Sequence, residues 1–345
     1  MILLKPNSQI DLEHRAYFLR GSPGQSAVIA AAEDGRCSIV SSEFKEVQSY
    51  RQSSTLRAIA AHPVAPWLAL VDKGSGWLVV KTISGDQLVK IPPPQVVGTA
   101  PNWVQQGFGD CFFDESGEFL WLAALRSAEE CEISLIETGN WSVVDRVVIQ
   151  DPFGGSSCSF HDTGRSGLIA LWLAAGQDGQ QVYWLNRKCN GFSCDLEPRL
   201  ENTIPPIFSP SKEEFLIVRE DGAICKYSWP TIVQTGPSLE SPDEDNPFAE
   251  SLVYLNEQQA LAATNEGRVF LLDTARMTIE DEVAIEGHEP RQIGEYYPSL
   301  SHERGLGTDI AWFTKVGDLV IFIYRRVGGI DLHGWKDSLL WYSPQ

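Results

Sequence analysis

The sequence is poor in basic residues. Lysine and arginine together number 27, against 46 aspartate and glutamate residues, which gives a formal net charge of −19. The excess is uneven, because residues 201–345 hold 24 acidic and 11 basic side chains, whereas residues 1–200 hold 22 and 16. Nucleic acids and anionic membranes attract positive surfaces, so both are disfavoured as partners. The charge instead favours a basic protein partner.

Long hydrophobic runs are also absent. The longest uninterrupted apolar stretch covers residues 168–175, far below the roughly 20 residues that span a bilayer. Residues 1–12 lack the extended apolar core and the small-residue cleavage site of a secretory signal. The sequence therefore predicts a cytoplasmic protein without a transmembrane segment.

Dense cysteine clusters and metal-binding spacings are missing as well. The seven cysteines are spread along the chain, and the one close pair, Cys189 and Cys194, is followed by no second pair. This pattern is not that of a disulfide framework or a zinc site, and it predicts free and mostly buried thiols. We therefore predict no metal and no cofactor.

Sequence motifs of catalysis do not occur. There is no Gly-x-Ser-x-Gly elbow, His-Glu-x-x-His helix, Walker loop or dinucleotide-binding glycine pattern. The six histidines are scattered, and both His62 and His161 fall in turns where a structural hydrogen bond is the expected role. We assign no catalytic residue and predict a protein that is not an enzyme.

The recurring feature of the chain is a pair of short apolar runs joined by a tight turn, usually with glycine. Such a unit is typical of a β-hairpin whose turn needs a positive φ angle. In one copy, residues 27–30 and 37–40 flank Asp34-Gly35. Further turns lie near positions 76, 130, 179, 222, 267 and 329, and the turn at 130 has no glycine. Helical periodicity is not evident, so the predicted fold class is all-β.

The spacing of these turns, 41 to 62 residues, is close to the period of a propeller blade, about 40 to 50 residues. Short aromatic or apolar segments with a polar turn precede several hairpins, at residues 61–63, 113–120, 160–164 and 208–211. With the Asp-Gly turns, these segments resemble the blades of the WD-repeat β-propeller family. The resemblance covers most of residues 15–345 and implies blades of four antiparallel strands.

The sequence therefore predicts a single seven-bladed β-propeller domain over residues 1–345, with six or eight blades as alternatives. A ring of blades must close, since open edges would pair with other molecules. Residues 2–4 and residues 339–342 are alternative sources of the closing outer strand. The predicted blades span residues 15–52, 56–91, 107–149, 154–198, 203–235, 249–285 and 308–345.

Four long inserts lie between predicted blades, at residues 92–107, 151–157, 236–250 and 286–307. In a propeller, connections between blades share one face with the hairpin turns, and insertions on such a face often bind partners. Aromatic and arginine side chains commonly anchor interfaces. For any single ring, the alternative is packing beneath its own loop. The predicted partner-binding residues are Trp103, Phe153, Phe248, Tyr296, Tyr297 and Arg304.

These features predict a non-enzymatic scaffold that binds a protein on its loop-bearing face, with acidic loops attracting a basic partner. Two alternatives stay open. Carboxylates converging on the propeller axis would make a glycosidase-like or lyase-like enzyme. An acidic inhibitor or immunity-type protein for a basic nuclease or toxin is favoured by the charge alone. A monomer is expected, although no sequence feature decides the oligomeric state.

Overall fold

A computed structural model gives the structure of the chain. The strands found in it confirm the all-β prediction, and the described residues include no helix long and apolar enough to cross a membrane. The structure describes residues 2–4, 8–12, 14, 18–22, 27–32, 34–41, 46–51, 55–95, 107–127, 129–150, 157–174, 179–188, 191–194, 200–201, 203–242, 248–264, 268–286, 308–316, 319–326 and 337–342.

The chain divides into two compact units. The first unit comprises Met1–Leu19, Ser38–Ser49 and Ile207–Gln345, and the second comprises Arg20–Cys37 and Tyr50–Pro206. The strands are β1 Ile2–Leu4, β2 Ser8–Asp11, β3 Phe18–Ser22, β4 Ala27–Ala31, β5 Arg36–Ser41, β6 Glu46–Arg51, β7 Leu56–Ala61, β8 Trp67–Asp72, β9 Leu78–Thr82, β10 Gln87–Ile91, β11 Gly107–Phe113, β12 Phe119–Leu125, β13 Glu130–Glu137, β14 Ser142–Gln150, β15 Ser157–Asp162, β16 Leu168–Ala174, β17 Gln180–Lys188, β18 Gly191–Ser193, β19 Leu200–Glu201, β20 Ile207–Phe208, β21 Glu214–Val218, β22 Ile224–Ser228, β23 Phe248–Tyr254, β24 Gln259–Thr264, β25 Val269–Asp273, β26 Thr278–Ile285, β27 Thr308–Val316, β28 Leu319–Arg326 and β29 Asp337–Tyr342.

Consecutive strands pair with one another into small sheets. In the second unit these are β7–β10, β11–β14, and β15–β18 with β19 paired to β17. In the first unit they are β20–β22, β23–β26 and β27–β29, and strands β3–β6 form a further four-stranded sheet. The described pairings between consecutive strands are antiparallel, as expected for strands joined by short turns.

Irregularities recur at equivalent places in these sheets. A register shift near the start of the first strand skips Arg57 in β7, Gly109 in β11 and Ala311 in β27. A second shift skips Leu88 in β10, Val144 in β14 and Glu280 in β26, each near the start of the outer strand. Because bulges re-aim side chains and increase twist, their repetition marks the sheets as copies of one structural unit.

Strands β1 and β2 add to two different sheets, and β2 completes the β27–β29 sheet. β2 pairs antiparallel with β29, from Ser8 opposite Trp341 to Asp11 opposite Ser338, and is the outer strand of the β27–β29 sheet. Residues 339–342 form the third strand of that sheet, and residues 2–4 instead add a parallel fifth strand to β26. Neither predicted segment is therefore the outer strand, which is β2 at residues 8–11 and was not predicted.

The middle strands form the core because both of their faces are covered. In β12 and β13 nearly every residue is buried, and Trp121 is fully buried although its side chain is large. Such continuous apolar runs are expected where a strand is buried on both faces. Their side chains pack against the neighbouring sheets on either side, so β11–β14 shares one core with β7–β10 and another with β15–β18.

Glycines occupy several of the predicted hairpin turns. Gly35, Gly76, Gly179 and Gly222 all have positive φ angles and lie between the second and third strands of their sheets. At the predicted turn near 130, residues 126–129 connect β12 to β13 without glycine. The predicted turns at 267 and 329 lie outside the described residues.

Candidate interaction surfaces

The hairpin turns and the connections between sheets meet at one end of the β7–β10 sheet, which we name the loop end. The turn after β8 accepts and donates backbone hydrogen bonds there. Lys73 N–H donates to the Thr55 carbonyl just before β7 (2.8 Å), and Phe108 N–H at the start of β11 donates to the Gly76 carbonyl (3.2 Å). The insert at residues 92–107 therefore begins and ends at this end of the two sheets.

Two close contacts fix the loop end. A Cβ on Gly107 would lie 2.5 Å from the Cα of Gly76, so the two backbones approach as closely as only glycine permits. Arg57, on the β7 bulge, donates to the carbonyls of Phe108 (3.0 Å) and Lys73 (3.1 Å). Burial lowers the pKa of its guanidinium, partly offset by Cys158 and Asp72. Arg57 therefore joins the hairpin turn to the next sheet.

Most of the predicted anchor residues lie outside the described residues, namely Trp103, Phe153, Tyr296, Tyr297 and Arg304. Phe248 is described, and its position is in the core. It begins β23, is 3% exposed, and packs edge-to-face on Phe270 with 6.0 Å between ring centroids. The sequence analysis placed Phe248 in the insert at residues 236–250, whereas its ring is buried and packs on Phe270 of the same sheet.

Part of the insert at residues 236–250 also has a structural role. Leu239 of the insert forms a β-bridge with Ile224, and Gln234, which precedes the insert, forms one with Tyr227, both on the outer side of β22. These two bridges take the place of a fourth strand in the β20–β22 sheet. The acidic run that follows, at residues 243–247, lies outside the described residues.

Other turns lie at the opposite end of the second unit's sheets. They connect the first strand to the second and the third strand to the fourth, and we name this end the turn end. His62 connects two sheets there. Its Nδ1 accepts hydrogen bonds from the backbone N–H groups of Val64 (3.1 Å) and Ala65 (2.8 Å), while Nε2 lies 3.0 Å from the Gly117 carbonyl. Nδ1 is therefore unprotonated, and Nε2–H is the donor to Gly117. The structural hydrogen bond expected for His62 is confirmed.

The turn-end network extends beyond the histidine. The Thr138 hydroxyl donates to the same Gly117 carbonyl at 2.7 Å. The His62 ring packs against Trp67 and Phe113 at centroid distances of 4.8 and 4.9 Å. His161, the other histidine predicted to be structural, lies in strand β15 and not in a turn. Its Nε2 lies 2.7 Å from the Ser159 hydroxyl on the same strand.

Protonation of His62 is expected to destabilise the protein. Burial lowers the pKa of His62 below its ordinary value of 6.5, although the Gly117 carbonyl and the Asp114 carboxylate oppose part of that shift. The unfolded chain then binds the proton more readily, so the free energy of unfolding falls as the pH drops below about 6.5. Denaturant unfolding between pH 7.5 and 5 measures this loss.

The matched variant is His62→Gln, which has no proton to gain. We expect the difference in the free energy of unfolding between wild type and variant to be largest above pH 6.5 and to shrink as the pH falls. A difference that stays constant over this range would show that His62 does not titrate with folding.

The buried carboxylates of the described residues are engaged in structural contacts. Asp110 accepts a hydrogen bond from the backbone of Phe160 at 2.7 Å. Glu132 forms an ion pair with Arg126 at 3.4 Å, and partly buried Glu214 pairs with Lys226 at 3.4 Å. Burial and Glu214 raise the pKa of Tyr254, whose hydroxyl donates to that carboxylate. Among the described residues, no group of three or more metal-binding side chains occurs.

The described cysteines are free thiols, as the sequence predicts, and most are buried. Cys158 on β15 and Cys131 on β13 lie in the same core. A hydrogen bond to Cys131 and burial raise the pKa of the Cys158 thiol well above its ordinary value. A protonated thiol is a poor nucleophile, so Cys158 has a packing role in this core. Cys189 lies outside the described residues.

Comparison with known proteins identifies the fold. The structure is similar to the β-propeller domain of Cps50 (Swd1) from Myceliophteria thermophila, with a TM-score of 0.61 and 9% identity over 98% of this chain and 100% of that chain. It is also similar to hydrazine synthase from Kuenenia stuttgartiensis, with a TM-score of 0.55 and 13% identity over 77% and 78% of the two chains. No family model and no curated protein sequence matches.

The chain thus has a β-propeller fold. At these identities the likeness concerns the fold alone. The blade number and the blade boundaries given above stay predictions.

Proposed function

We propose that this protein is a non-enzymatic scaffold that binds a basic protein partner on the loop-bearing face of its propeller. The observation that carries the proposal is the geometry of the loop end. The turn after β8 is hydrogen-bonded both to Thr55 before β7 and to Phe108 at the start of β11. An insert between these sheets therefore emerges beside a rigid turn, which is how a propeller presents a binding loop.

The fold and the charge support the same role. Propellers with four-stranded blades commonly mediate protein–protein interactions, and the net charge of −19 favours a positively charged partner over nucleic acid or an anionic membrane. Each buried carboxylate described above accepts a hydrogen bond or forms an ion pair within the fold. We include in the proposal a cytoplasmic location and a monomeric state, which cell fractionation and light scattering measure directly.

The test begins with the partner captured from the native cell extract and then purified. Binding of the purified partner is measured with wild type and with a Trp103→Ala, Tyr296→Ala, Tyr297→Ala variant, because aromatic anchors dominate interface energies. We expect at least a tenfold weaker affinity, and further weakening between 50 and 300 mM salt, since screening reduces charge attraction.

The control for this experiment is Val233→Ala, which changes a valine that is 58% exposed in the first unit. It is expected to leave the affinity unchanged. Equal affinity of wild type and the triple variant would contradict the assignment of the loop-bearing face. Turnover of a small molecule by the purified chain would contradict the non-enzymatic role.

A further inference from the structure

The turn end of the second unit carries an apolar patch formed by Val64, Pro66, Trp67 and Trp141. Val64 is 70% exposed, the largest exposure among the exposed large hydrophobic residues described. Pro66 is also exposed, and the two tryptophans are partly exposed. Several exposed apolar side chains grouped at a surface indicate a contact site, whereas a single exposed valine would not. We name these four residues the tryptophan patch.

The tryptophan patch is built from turns of two neighbouring sheets. Trp67 begins β8, and Trp141 ends the turn between β13 and β14, with their ring centroids 5.8 Å apart. The turn between β9 and β10 adjoins the same surface, because Ile83 N–H donates to the Pro66 carbonyl at 2.7 Å. The hydrogen bond from His62 to Gly117 fixes the fourth turn, between β11 and β12, beside them.

The backbone at Trp141 is held in an unusual conformation. Its φ angle is +58°, in the left-handed region that bulky side chains rarely adopt. A non-glycine residue keeps such a conformation only where the surrounding structure holds it there. Hydrogen bonds maintain the turn, because Trp141 N–H donates to the Glu137 carbonyl (2.8 Å) and Thr138 N–H to the Glu118 carbonyl (2.9 Å). The ring is thus presented from a rigid turn.

The turns that surround the patch carry acidic but no basic side chains. The four turns, at residues 62–66, 83–86, 114–118 and 138–141, contain no lysine and no arginine. Their acidic residues include Asp86, Glu115 and Glu118, whose side chains are exposed. Asp114 is buried and lies 3.7 Å from Arg187. Among the described ion pairs, no other carboxylate of these turns has an arginine partner.

We propose that the tryptophan patch is a second docking surface, which binds a segment of a partner protein that carries arginine or lysine next to apolar side chains. The apolar side chains pack on Val64 and Pro66. The cation lies over a tryptophan face, which attracts cations, within the field of Glu115 and Glu118. This surface lies at the end of the sheets opposite to the loop end, and it does not depend on the function proposed above.

The probe is a fluorescein-labelled dodecapeptide of four Arg-Leu-Gly repeats, measured by fluorescence anisotropy with the full chain at 50 mM salt. An Arg-Gly-Gly peptide of equal length and charge lacks the apolar groups. We expect wild type to bind the leucine-containing peptide at least tenfold more tightly. Absence of that preference, or of binding, would overturn the proposal.

Variants localise the binding. Val64→Asp and the pair Glu115→Lys, Glu118→Lys are each expected to weaken binding of the Arg-Leu-Gly peptide at least tenfold. Matched controls are Val233→Asp, at another exposed valine, and Glu213→Lys with Glu220→Lys, which changes the net charge equally at two other exposed carboxylates. The controls are expected to stay within twofold of wild type. Equal weakening by patch and control variants would show binding by overall charge, which overturns the proposal.

The experiment separates this surface from the loop-bearing face. The variant at Trp103, Tyr296 and Tyr297 is expected to bind the probe peptide like wild type, and Val64→Asp to bind the captured partner like wild type. Loss of probe binding in the loop variant would place the peptide on the loop-bearing face and contradict the docking surface at the turn end.

Discussion

Replacing Gly117 by alanine is expected to destabilise the protein by about 4 kcal/mol, from backbone strain and overpacking together. Gly117 has a φ angle of +73°, and a Cβ at this position would collide with the imidazole ring of His62. The ring cannot move away freely, because three hydrogen bonds hold it between the two turns. The midpoint of urea unfolding measures the effect.

Gly85→Ala is the matched control for backbone strain. Gly85 also has a positive φ angle, +102°, but nothing lies within 4 Å of its added Cβ. Its cost is expected to be about 1 to 2 kcal/mol, the strain of a left-handed residue alone. In a double-mutant cycle, His62→Ala is expected to reduce the cost of Gly117→Ala, because it removes the colliding ring. Equal costs at Gly85 and Gly117, or additive effects with His62→Ala, would contradict the collision.

The all-β fold was predictable because its determinants are local. Two short apolar runs and a tight turn, usually with glycine, define a hairpin within about 15 residues. Gly35 and Gly222, for example, were expected in such turns, and both have the positive φ angle that the turn requires. The sequence also anticipated the structural role of His62, since a histidine between two strands in a Pro-containing turn has nearby backbone N–H groups to bind.

What the sequence did not reveal depends on contacts between distant residues. Periodicity identifies Phe248 as apolar, but it does not show that the residue starts strand β23 and packs on Phe270. The β7 bulge likewise has no local pattern, although it places Arg57 between the carbonyls of Lys73 and Phe108. Such features follow from the pairing register of the strands, and a bulge in one strand is not visible in its local sequence pattern.

The tryptophan patch illustrates the same limit at the surface. Its residues are separated by up to 77 positions, from Val64 to Trp141, and they meet only because two sheets lie side by side. The sequence does carry a signal, because Pro63, Val64 and Pro66 expose apolar groups in a turn before Trp67. The functional prediction was based on the long inserts, and it therefore concerned the loop end of the sheets.

Disrupting β2 is expected to damage the protein far more than disrupting β1. The variant Gln9→Pro, Ile10→Pro places proline in the strand that pairs with β29. Because successive N–H groups of a strand point to opposite sides, one of these two faces β29, and proline removes it. We expect a loss of about 3 kcal/mol or more in the free energy of unfolding. The exposed edge of β29 is then available to other molecules, so we also expect aggregation in light scattering.

The equivalent change in β1, Ile2→Pro with Leu3→Pro, provides the comparison. β1 has three residues, pairs in parallel on the outside of β26, and leaves Leu3 55% exposed. Little apolar surface is buried there, so the expected loss is about 1 kcal/mol or less. Equal damage from both variants would show that β1 contributes as much as β2.

Strand β2 pairs residues 8–11 with residues 338–341. It stabilises the protein only after these two distant segments have come together. The β2 variant is therefore expected to slow refolding as well, since a contact of this sequence separation forms only after a large loss of chain entropy.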